Sequence, residues 1–434
     1  FDPRIKLDRR DKGAEGEETL GGFLLKLAKK KPHIEIAILK WNFGALKTLF
    51  RGSAIAWVAR LAATRAIKFK LDSAHPPGCS HHQKIVVIDD CFAVCGGIDM
   101  TGDRWDRPAH ADHDPNRIRP NGDPYGPWHD ATMAVDGPLA AALGELACDR
   151  WQRATGEKLD PISGADPIWP DDLKPMFRDR QFAIARTAAK YDGHDEVKEI
   201  EALFLDMIHV ARRFIYAENQ YFTSPRIAQA ILERMREPNP PEIVFVNPVT
   251  AEGWLEQVAM DAARVRLAQI IGSEDPGNRF RIYTPVTDGG ADIYVHAKIM
   301  IVDDRILRVG SANMNNRSLG LDSECDLALQ AEDRETEAII AGVRTRLLAE
   351  HLGVSEEEVT TLFDRTESLV GTIEALQSKG RSLRLLKFEE PSDARAFIAD
   401  TELLDPKDPD EMFEGFARRS LLSNVGDWWR RRRR

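Results

Sequence analysis

The sequence lacks several features that would narrow its class at once. It has no uncharged apolar run of about 18 residues, so we predict no transmembrane helix, and no signal peptide is visible. Its five cysteines are scattered, odd in number and without a CxxC pair, which favours buried free thiols over a zinc site or a disulfide framework. Basic residues are not in excess, and the net charge of −10 argues against a general nucleic-acid binder.

The composition is that of a large globular protein, and the sequence contains an internal repeat. With 434 residues, 43% apolar and 30% charged, it is too long for one ordinary hydrophobic core, so two domains or two fused halves are expected. The segment HHQKIVVIDDCFAVCGGIDM (81–100) aligns without a gap to VHAKIMIVDDRILRVGSANM (295–314), at an offset of 214 residues. The β-branched runs inside both segments predict buried strands.

Helix-then-strand patterns precede both copies of this repeat. The runs IEIAIL (34–39) and EIVFVNP (242–248) each follow an amphipathic segment, and such alternation predicts α/β units with helices covering a sheet. We therefore predict an α/β fold of two similar halves, each a mixed β-sheet flanked by helices, related by pseudo-twofold symmetry, plus a helical C-terminal region. The predicted boundaries are 1–195 for the first half, 196–335 for the second, and 336–434 for a helical extension with a basic tail.

The repeat also predicts a strand that this sequence does not contain. In the second half, RFIYAENQYF (213–222) precedes SPRI (224–227), whereas only Phe1 precedes the similar DPRI (2–5). We expect a matching strand upstream of Phe1.

Each copy of the repeat carries a histidine and a lysine two residues apart, namely His82 with Lys84 and His296 with Lys298. Alternate residues of a strand point to the same face, so each pair shares a face. If a pseudo-twofold axis brings the pairs together, two imidazoles and two ammonium groups converge on a spot that suits a phosphate diester. The lysines would neutralise its oxygens, one histidine would attack phosphorus, and the other would protonate the leaving oxygen. An aspartate would fix the tautomer of the attacking imidazole.

The duplicated His-x-Lys-x4-Asp pattern, completed by Asp89 and Asp303, resembles the signature of the phospholipase D superfamily. The resemblance implies two α/β halves, one shared active site, a covalent phosphohistidine intermediate, and no metal or other cofactor for the chemistry. It implies that His82 is the nucleophile and that His296 acts first as acid and then as base. It also implies a catalytic role for Lys84, Asp89, Lys298 and Asp303, with Lys84, Lys298 and Asn313 holding the phosphoryl oxygens. Asp99 and Ser311 are further candidates for substrate binding, with Glu324 and Asp130 in support. Spacing leaves open which acidic residue orients each histidine.

Further stretches favour one branch of that superfamily. GGIDMTGDRWD (96–106), PWHD (127–130) and YAENQYF (216–222) are similar to segments of plant and animal phospholipases D. We therefore expect cleavage of phospholipids to phosphatidic acid and a head group, with transfer to an alcohol also open. The expected partners are a phospholipid substrate and a peripheral membrane surface, without nucleic acid, and the oligomeric state is left open. The alternatives are a phospholipid synthase in which transfer dominates, a nuclease, and a non-catalytic scaffold.

Two segments outside the motifs allow more than one interpretation. The insert with His110, Asp112, His113 and Asp114 could form a metal site, but the surrounding Pro, Gly and Asn favour a solvated loop over the active site. The chain end DWWRRRRR (427–434) fits either a solvated disordered tail or an interfacial anchor on an anionic membrane.

Overall fold

The structure, a computed structural model, describes residues 1–7, 18–41, 53–162, 164, 168–250 and 254–386. The basic tail at 427–434 lies outside the described residues. The described strands are β1 (Ile36–Trp41), β2 (Ile67–Asp72), β3 (Ile85–Ile88), β4 (Phe92–Gly96), β5 (Trp128–His129), β6 (Thr132–Asp136), β7 (Ala183–Ala188), β8 (Val197–Lys198), β9 (Phe214–Glu218), β10 (Glu242–Val246), β11 (Phe280–Val286), β12 (Tyr294–Val295), β13 (Ile299–Val302), β14 (Ile306–Gly310), β15 (Glu324–Gln330) and β16 (Ser382–Leu385).

Nine α-helices and one π-helical turn are described alongside these strands. The helices are α1 (Leu20–Lys30), α2 (Ser53–Ala62), α3 (Gly137–Thr155), α4 (Glu199–Val210), α5 (Pro225–Met235), α6 (Trp254–Ser273), α7 (Arg334–Leu352), α8 (Glu356–Thr366) and α9 (Leu369–Leu376), and the π-helical turn is Arg317–Leu321. Across the described residues, the helices are too short or too polar to span a bilayer.

A nine-stranded mixed sheet of order β16-β11-β10-β9-β13-β14-β15-β7-β8 forms the largest layer. Alternate residues of β9 belong to different apolar clusters, with Ile215 packing under α4, α5 and α6 and Tyr216 under α7, α8 and α9. Because both faces are covered, β9 and its parallel neighbour β10 are almost entirely apolar. The predicted α/β class, with a mixed sheet flanked by helices and a helical C-terminal region, is confirmed. Strand β16, which pairs with β11 at the sheet edge, was not predicted.

The described part of the first half forms two smaller sheets that match pieces of the larger one. Strands β1 and β2 are parallel, as β10 and β11 are, and β3-β4-β6 is antiparallel, as β13-β14-β15 is. The register also agrees, since Ile85 lies opposite Cys95 and Ile299 lies opposite Val309. In the second half β9 lies between β10 and β13, and no strand of the described first half takes the corresponding place. The strand expected upstream of Phe1 stays a prediction.

The two halves pack together through apolar residues and two short strand pairings. Cys95 of β4 and Cys325 of β15, two of the five free thiols, share a buried cluster. Strand β5 pairs in parallel with β12, which puts His129 opposite Val295, and a bridge joins His81 to Ser323. Strand β7 falls in the predicted first half but pairs with β15 in the sheet of the second, and the boundary at residue 195 stays a prediction.

Candidate active site

His82 lies just before β3 and is held by a carboxylate from the other half of the chain. Its Nδ1 lies 2.9 Å from each carboxylate oxygen of Glu324, the first residue of β15. Glu324 is fully buried and also accepts hydrogen bonds from the hydroxyls of Ser311, at 2.5 Å, and Ser318, at 2.6 Å. The His82 side chain is 27% exposed. Since Nδ1 donates to Glu324, Nε2 is the ring nitrogen left for chemistry.

His296 lies just before β13 and is held by a carboxylate of the first half. Its Nδ1 donates to Asp130 Oδ2 at 2.8 Å, and the two side chains are only 5% and 3% exposed. Asp130 Oδ1 accepts from the Ala131 amide at 2.9 Å. As in His82, Nδ1 carries the proton, and Nε2 of His296 takes no part in this contact.

Register makes these two pairs equivalent. Gly96 lies opposite Thr132 and Gly310 opposite Asp326, so the residues two positions earlier, Asp130 and Glu324, occupy the same place in the two halves. The backbone agrees, because the amide of His82 donates to Ser323 O at 2.9 Å and that of His296 donates to His129 O at 2.8 Å. Each histidine is thus oriented by the half to which it does not belong.

Each lysine contacts the backbone of the histidine two residues before it. Lys84 Nζ donates to the backbone carbonyl of His82 at 2.6 Å, and Lys298 Nζ donates to that of His296. Lys84 Nζ also lies 3.5 Å from Asp99 Oδ1. An ammonium group has three N–H donors, so each lysine retains donors beyond this backbone contact.

Burial and mutual repulsion shift the ionisation of the second pair. Burial, with a contribution from Lys298, lowers the pKa of His296 to about 3, although Asp130 opposes this shift. Burial also lowers the pKa of Lys298 to about 7, with Asp130 opposing and Lys84 adding to the shift. Burial alone raises the pKa of Asp99, but Lys84 and the other nearby cations lower it below its ordinary value. An incoming anion would relieve this crowding of positive groups.

Asn313 and Ser311 have different surroundings although the sequence analysis grouped them for substrate binding. Asn313 is buried and its Oδ1 has no hydrogen-bond partner among the described residues. The Ser311 hydroxyl is fully buried and donates to Glu324, which puts it behind the carboxylate. Gly97 takes the place of Ser311 in the first half, and a Cβ there would lie 2.4 Å from Asp130 Oδ1. Only glycine therefore lets Asp130 approach so closely.

The aspartates that complete the two motifs lie away from both histidines. Asp303 follows β13, at the end opposite His296, and the four extended residues of β13 alone span roughly 13 Å. Its carboxylate accepts hydrogen bonds from the amides of Arg212, Arg213 and Phe214 at 2.7–2.8 Å. Asp89 occupies the equivalent hairpin turn, and both residues have positive φ, 51° and 55°. The structure therefore gives Asp303 an anchoring position at the turn and brings neither aspartate to the reacting groups.

Three side chains beside His296 were not singled out from the sequence. The Trp128 ring lies 5.1 Å from the His296 ring and stacks on Tyr294 at 4.7 Å. The Arg104 guanidinium lies over Trp128, 4.1 Å from the ring centroid. Trp128 and Arg104 fall inside the stretches PWHD and GGIDMTGDRWD, so those stretches were the available signal.

The insert (110–126) is an irregular and mostly exposed loop, as its composition favoured, but some of its side chains are buried. His110 and Asp114 are buried, with Asp114 bound by Arg107, and only His113 and Asp112 are exposed. Asp112 accepts a hydrogen bond from the Gly289 amide at 2.8 Å, which ties the insert to the second half. The four acidic and histidine side chains do not converge on one point. The groups in the described residues whose atoms lie close enough to share a metal are His110 with His129 and Glu350, and His129 with Glu218 and His351.

Known proteins resemble this chain in both sequence and fold. A family model described as "Phospholipase D" matches residues 282–373. Phospholipase D alpha 1 of Ricinus communis is 26% identical over 399 residues, covering 64% of this chain and 49% of that protein. Phospholipase D delta of Arabidopsis thaliana is 24% identical over 527 residues, covering 82% and 60%. The chain thus spans about half the length of the alpha 1 relatives that it matches.

The crystal structure of phosphatidylserine synthase from Haemophilus influenzae Rd KW20 shares the fold, with a TM-score of 0.52 and 12% identity over 81% of this chain and 85% of that one. The fold and the repeated motifs define a duplicated α/β protein in which both halves contribute to one histidine-lysine site. These sequence matches support membership of the chain in the phospholipase D superfamily.

Proposed function

We propose that this protein is a phosphodiesterase of phospholipase D type, which cleaves a phospholipid to phosphatidic acid and a head-group alcohol. The observation that carries the proposal is the pair of imidazole–carboxylate contacts, His82 with Glu324 and His296 with Asp130, each made between the halves. A lysine accompanies each contact, so two aligned imidazoles and two cations surround one site. Such a set of groups suits a phosphate diester, which needs a nucleophile, a proton donor and charge neutralisation.

In the first step His82 Nε2 attacks phosphorus and the P–O bond to the head group breaks. The electron pair leaves with the head-group oxygen, which takes a proton from His296 Nε2. Burial keeps the pKa of His296 at about 3 in the free protein, so this proton requires the bound diester, whose negative charge raises that pKa. Glu324 stabilises the charge that develops on the His82 ring.

In the second step water attacks the phosphohistidine. His296 Nε2, now neutral, takes a proton from the water, the P–N bond breaks, and His82 recovers its electron pair. Lys84, Lys298 and Asn313 would hold the phosphoryl oxygens throughout. Phosphatidic acid leaves, and the site returns to its initial state without a metal ion in any step.

The main alternative is a phosphatidyltransferase, in which an alcohol replaces water in the second step. The similarity of the fold to a phosphatidylserine synthase keeps this alternative open, because both outcomes share the same covalent intermediate. A nuclease is the weaker alternative, since the chain carries a net charge of −10. In either lipid activity the substrate lies in a membrane, so a peripheral membrane surface is the proposed partner.

One experiment separates these activities. The protein is incubated with phosphatidylcholine vesicles, with and without ethanol, and in parallel with single-stranded DNA. Phosphatidic acid without ethanol, and phosphatidylethanol with it, are expected. Release of nucleotides with no lipid product would refute the proposal, and lipid turnover only when an alcohol is present would indicate a transferase.

A further inference from the structure

A chain of alternating carboxylates and imidazoles runs through the protein beside the candidate active site. We call it the imidazole–carboxylate network, and its members in order are Asp106, His110, Glu350, His129, Glu218 and His351. The links measure 2.6–3.0 Å. Three members come from the first half, Glu218 from β9 of the second half, and Glu350 and His351 from α7, in the predicted C-terminal extension, so the network joins the first half to the rest of the chain.

His129 occupies the centre of this network. Its Nε2 lies 2.6 Å from Glu218 Oε2 and its Nδ1 lies 2.9 Å from Glu350 Oε1. Both contacts are with carboxylates, so both ring nitrogens donate and the ring is an imidazolium. Burial alone lowers the pKa of His129, but Glu218 and Glu350 together raise it well above its ordinary value. The other groups facing the ring are His110 and His351, with ring centroids 5.6 and 4.6 Å away.

The backbone of His129 lies directly behind His296. Its carbonyl accepts hydrogen bonds from the amides of His296, at 2.8 Å, and Ala297, at 3.2 Å. The next residue is Asp130, which holds the His296 ring. Strand β5 thus fixes both the backbone and the ring of His296, yet it has only two residues and gains little stability from its own ladder.

The two halves support their orienting carboxylates differently. Glu324 receives two serine hydroxyls and begins a seven-residue strand. Beside Asp130, the position equivalent to Ser311 is Gly97, which has no hydroxyl to donate. The Trp128 indole N–H is 3.5 Å from the Asp130 carboxylate, a longer contact than those of the serine hydroxyls. The network holds β5 by other contacts. Asp106 accepts a hydrogen bond from the Trp128 amide at 2.9 Å, and the two ring nitrogens of His129 contact Glu350 and Glu218.

We propose that His129 is a positioning residue: by bridging Glu218 of β9 and Glu350 of α7 it fixes β5, and so holds Asp130 where it orients His296. The inference deepens the proposed function and rests on it for its kinetic test. It also gives a role to one residue in each of two stretches that resemble phospholipases D, since His129 belongs to PWHD and Glu218 to YAENQYF. A catalytic group works best when its surroundings hold it within about 0.5 Å of the productive geometry. We expect the contacts of His129 to give Asp130 and His296 this precision.

A shared metal ion is the competing explanation for these side chains. Two ligands on a tetrahedral zinc at about 2.0–2.1 Å lie roughly 3.3 Å apart. The 2.6 Å between His129 Nε2 and Glu218 Oε2 is instead the distance of a charge-assisted hydrogen bond. Elemental analysis of the purified full-length protein decides, because stoichiometric zinc that is lost in His129→Gln would overturn the inference.

The kinetic test is a double-mutant cycle of His129→Gln and Asp130→Asn, assayed on a soluble diester. We expect His129→Gln to lower kcat about 10–100-fold with KM nearly unchanged, as for other residues that orient a reacting group. If His129 acts through Asp130, the double variant should be as slow as Asp130→Asn alone, to within about threefold. Fully multiplicative losses would overturn the inference, and so would wild-type kcat in His129→Gln. The matched control is His113→Gln, an exposed histidine of the nearby insert, which should leave kcat unchanged.

A second readout does not depend on turnover. Nitrogen-15 NMR of the wild-type protein should find both ring nitrogens of His129 protonated at pH 8, and the Nδ1 proton of His296 should shift in His129→Gln. A neutral His129 at pH 8 would overturn the inference even if the protein hydrolyses lipids. If no diester is turned over, the NMR result still decides the positioning role, and the proposed function alone fails. Should His129→Gln fold poorly, Glu350→Gln, at the more exposed side of the ring, replaces it and should slow turnover in the same manner.

Discussion

His82 Nδ1 donates a hydrogen bond to Glu324, a residue 242 positions later in the chain, and lies 2.9 Å from both carboxylate oxygens. The reverse arrangement joins His296 to Asp130, 166 positions earlier. Both orienting carboxylates therefore come from the opposite half, and the site depends on how the halves pack. The predictions below test the residues that meet there.

Removing either histidine should abolish most turnover, but only the His296 variant should still form the covalent intermediate. His82→Ala should lower kcat by about 10³-fold or more, because the covalent path is lost. His296→Ala should cost about 10²–10⁴-fold with a lipid substrate, since it removes general acid–base help. With a p-nitrophenyl diester, which needs no acid, the His296 variant should accumulate labelled protein after rapid quench. Label on His82→Ala would reverse the assignment of the nucleophile.

Glu324→Gln should slow turnover about 10²–10⁴-fold while the protein stays folded. The amide carries no charge to stabilise the His82 ring, and its NH₂ group disfavours the tautomer with a proton on Nδ1. Steady-state kinetics on a soluble diester measure the loss, and circular dichroism monitors folding. The exposed Glu332→Gln is the matched control and should behave as wild type. Turnover in Glu324→Gln within about threefold of wild type would contradict the assigned role.

Activity on a soluble diester should survive chelation. The proposed mechanism assigns the phosphate charge to Lys84 and Lys298, whose ammonium groups lie beside the two histidines. Turnover measured before and after dialysis against EDTA is the test. Inactivation by EDTA with rescue by calcium or zinc would refute it.

Binding of an anion should take up protons at pH 8. Lys298 has a pKa of about 7, so at pH 8 it is about nine-tenths neutral before binding, and a bound anion raises that pKa toward 10.5. Lys298 should therefore take up close to one proton at pH 8, and less at pH 6, where it is already charged. His296, with a pKa of about 3 before binding, adds to the uptake to the extent that the bound anion raises its pKa, as the proposed mechanism requires.

Calorimetry of tungstate binding in two buffers of different ionisation enthalpy measures this proton uptake. Lys298→Met should reduce it by close to one proton at ligand concentrations that restore saturation. Measurable binding at pH 8 without proton uptake in the wild-type protein would contradict the depressed pKa of Lys298.

The sequence predicted the fold class and the residues of the two repeats, because both depend on local patterns. It did not reveal that Asp130 and Glu324 are equivalent. The offset between the halves falls from 214 residues at the histidines to 194 at the carboxylates, since the first half carries the extra insert. Spacing also grouped Asp303 with the chemistry, whereas its contacts are with backbone amides at a turn. His129 and Glu218 are 89 positions apart, and only the packing of β5 against β9 brings them together.

Because each histidine is held by a carboxylate of the other half, the site can be completed only late in synthesis. His82 leaves the ribosome 242 residues before Glu324, an interval of about 12–50 s at ordinary elongation rates. Throughout that interval the imidazole has no carboxylate to fix its tautomer or to stabilise charge on its ring. The first half alone therefore cannot form the complete imidazole–carboxylate pair, which exists only once the second half has folded against it.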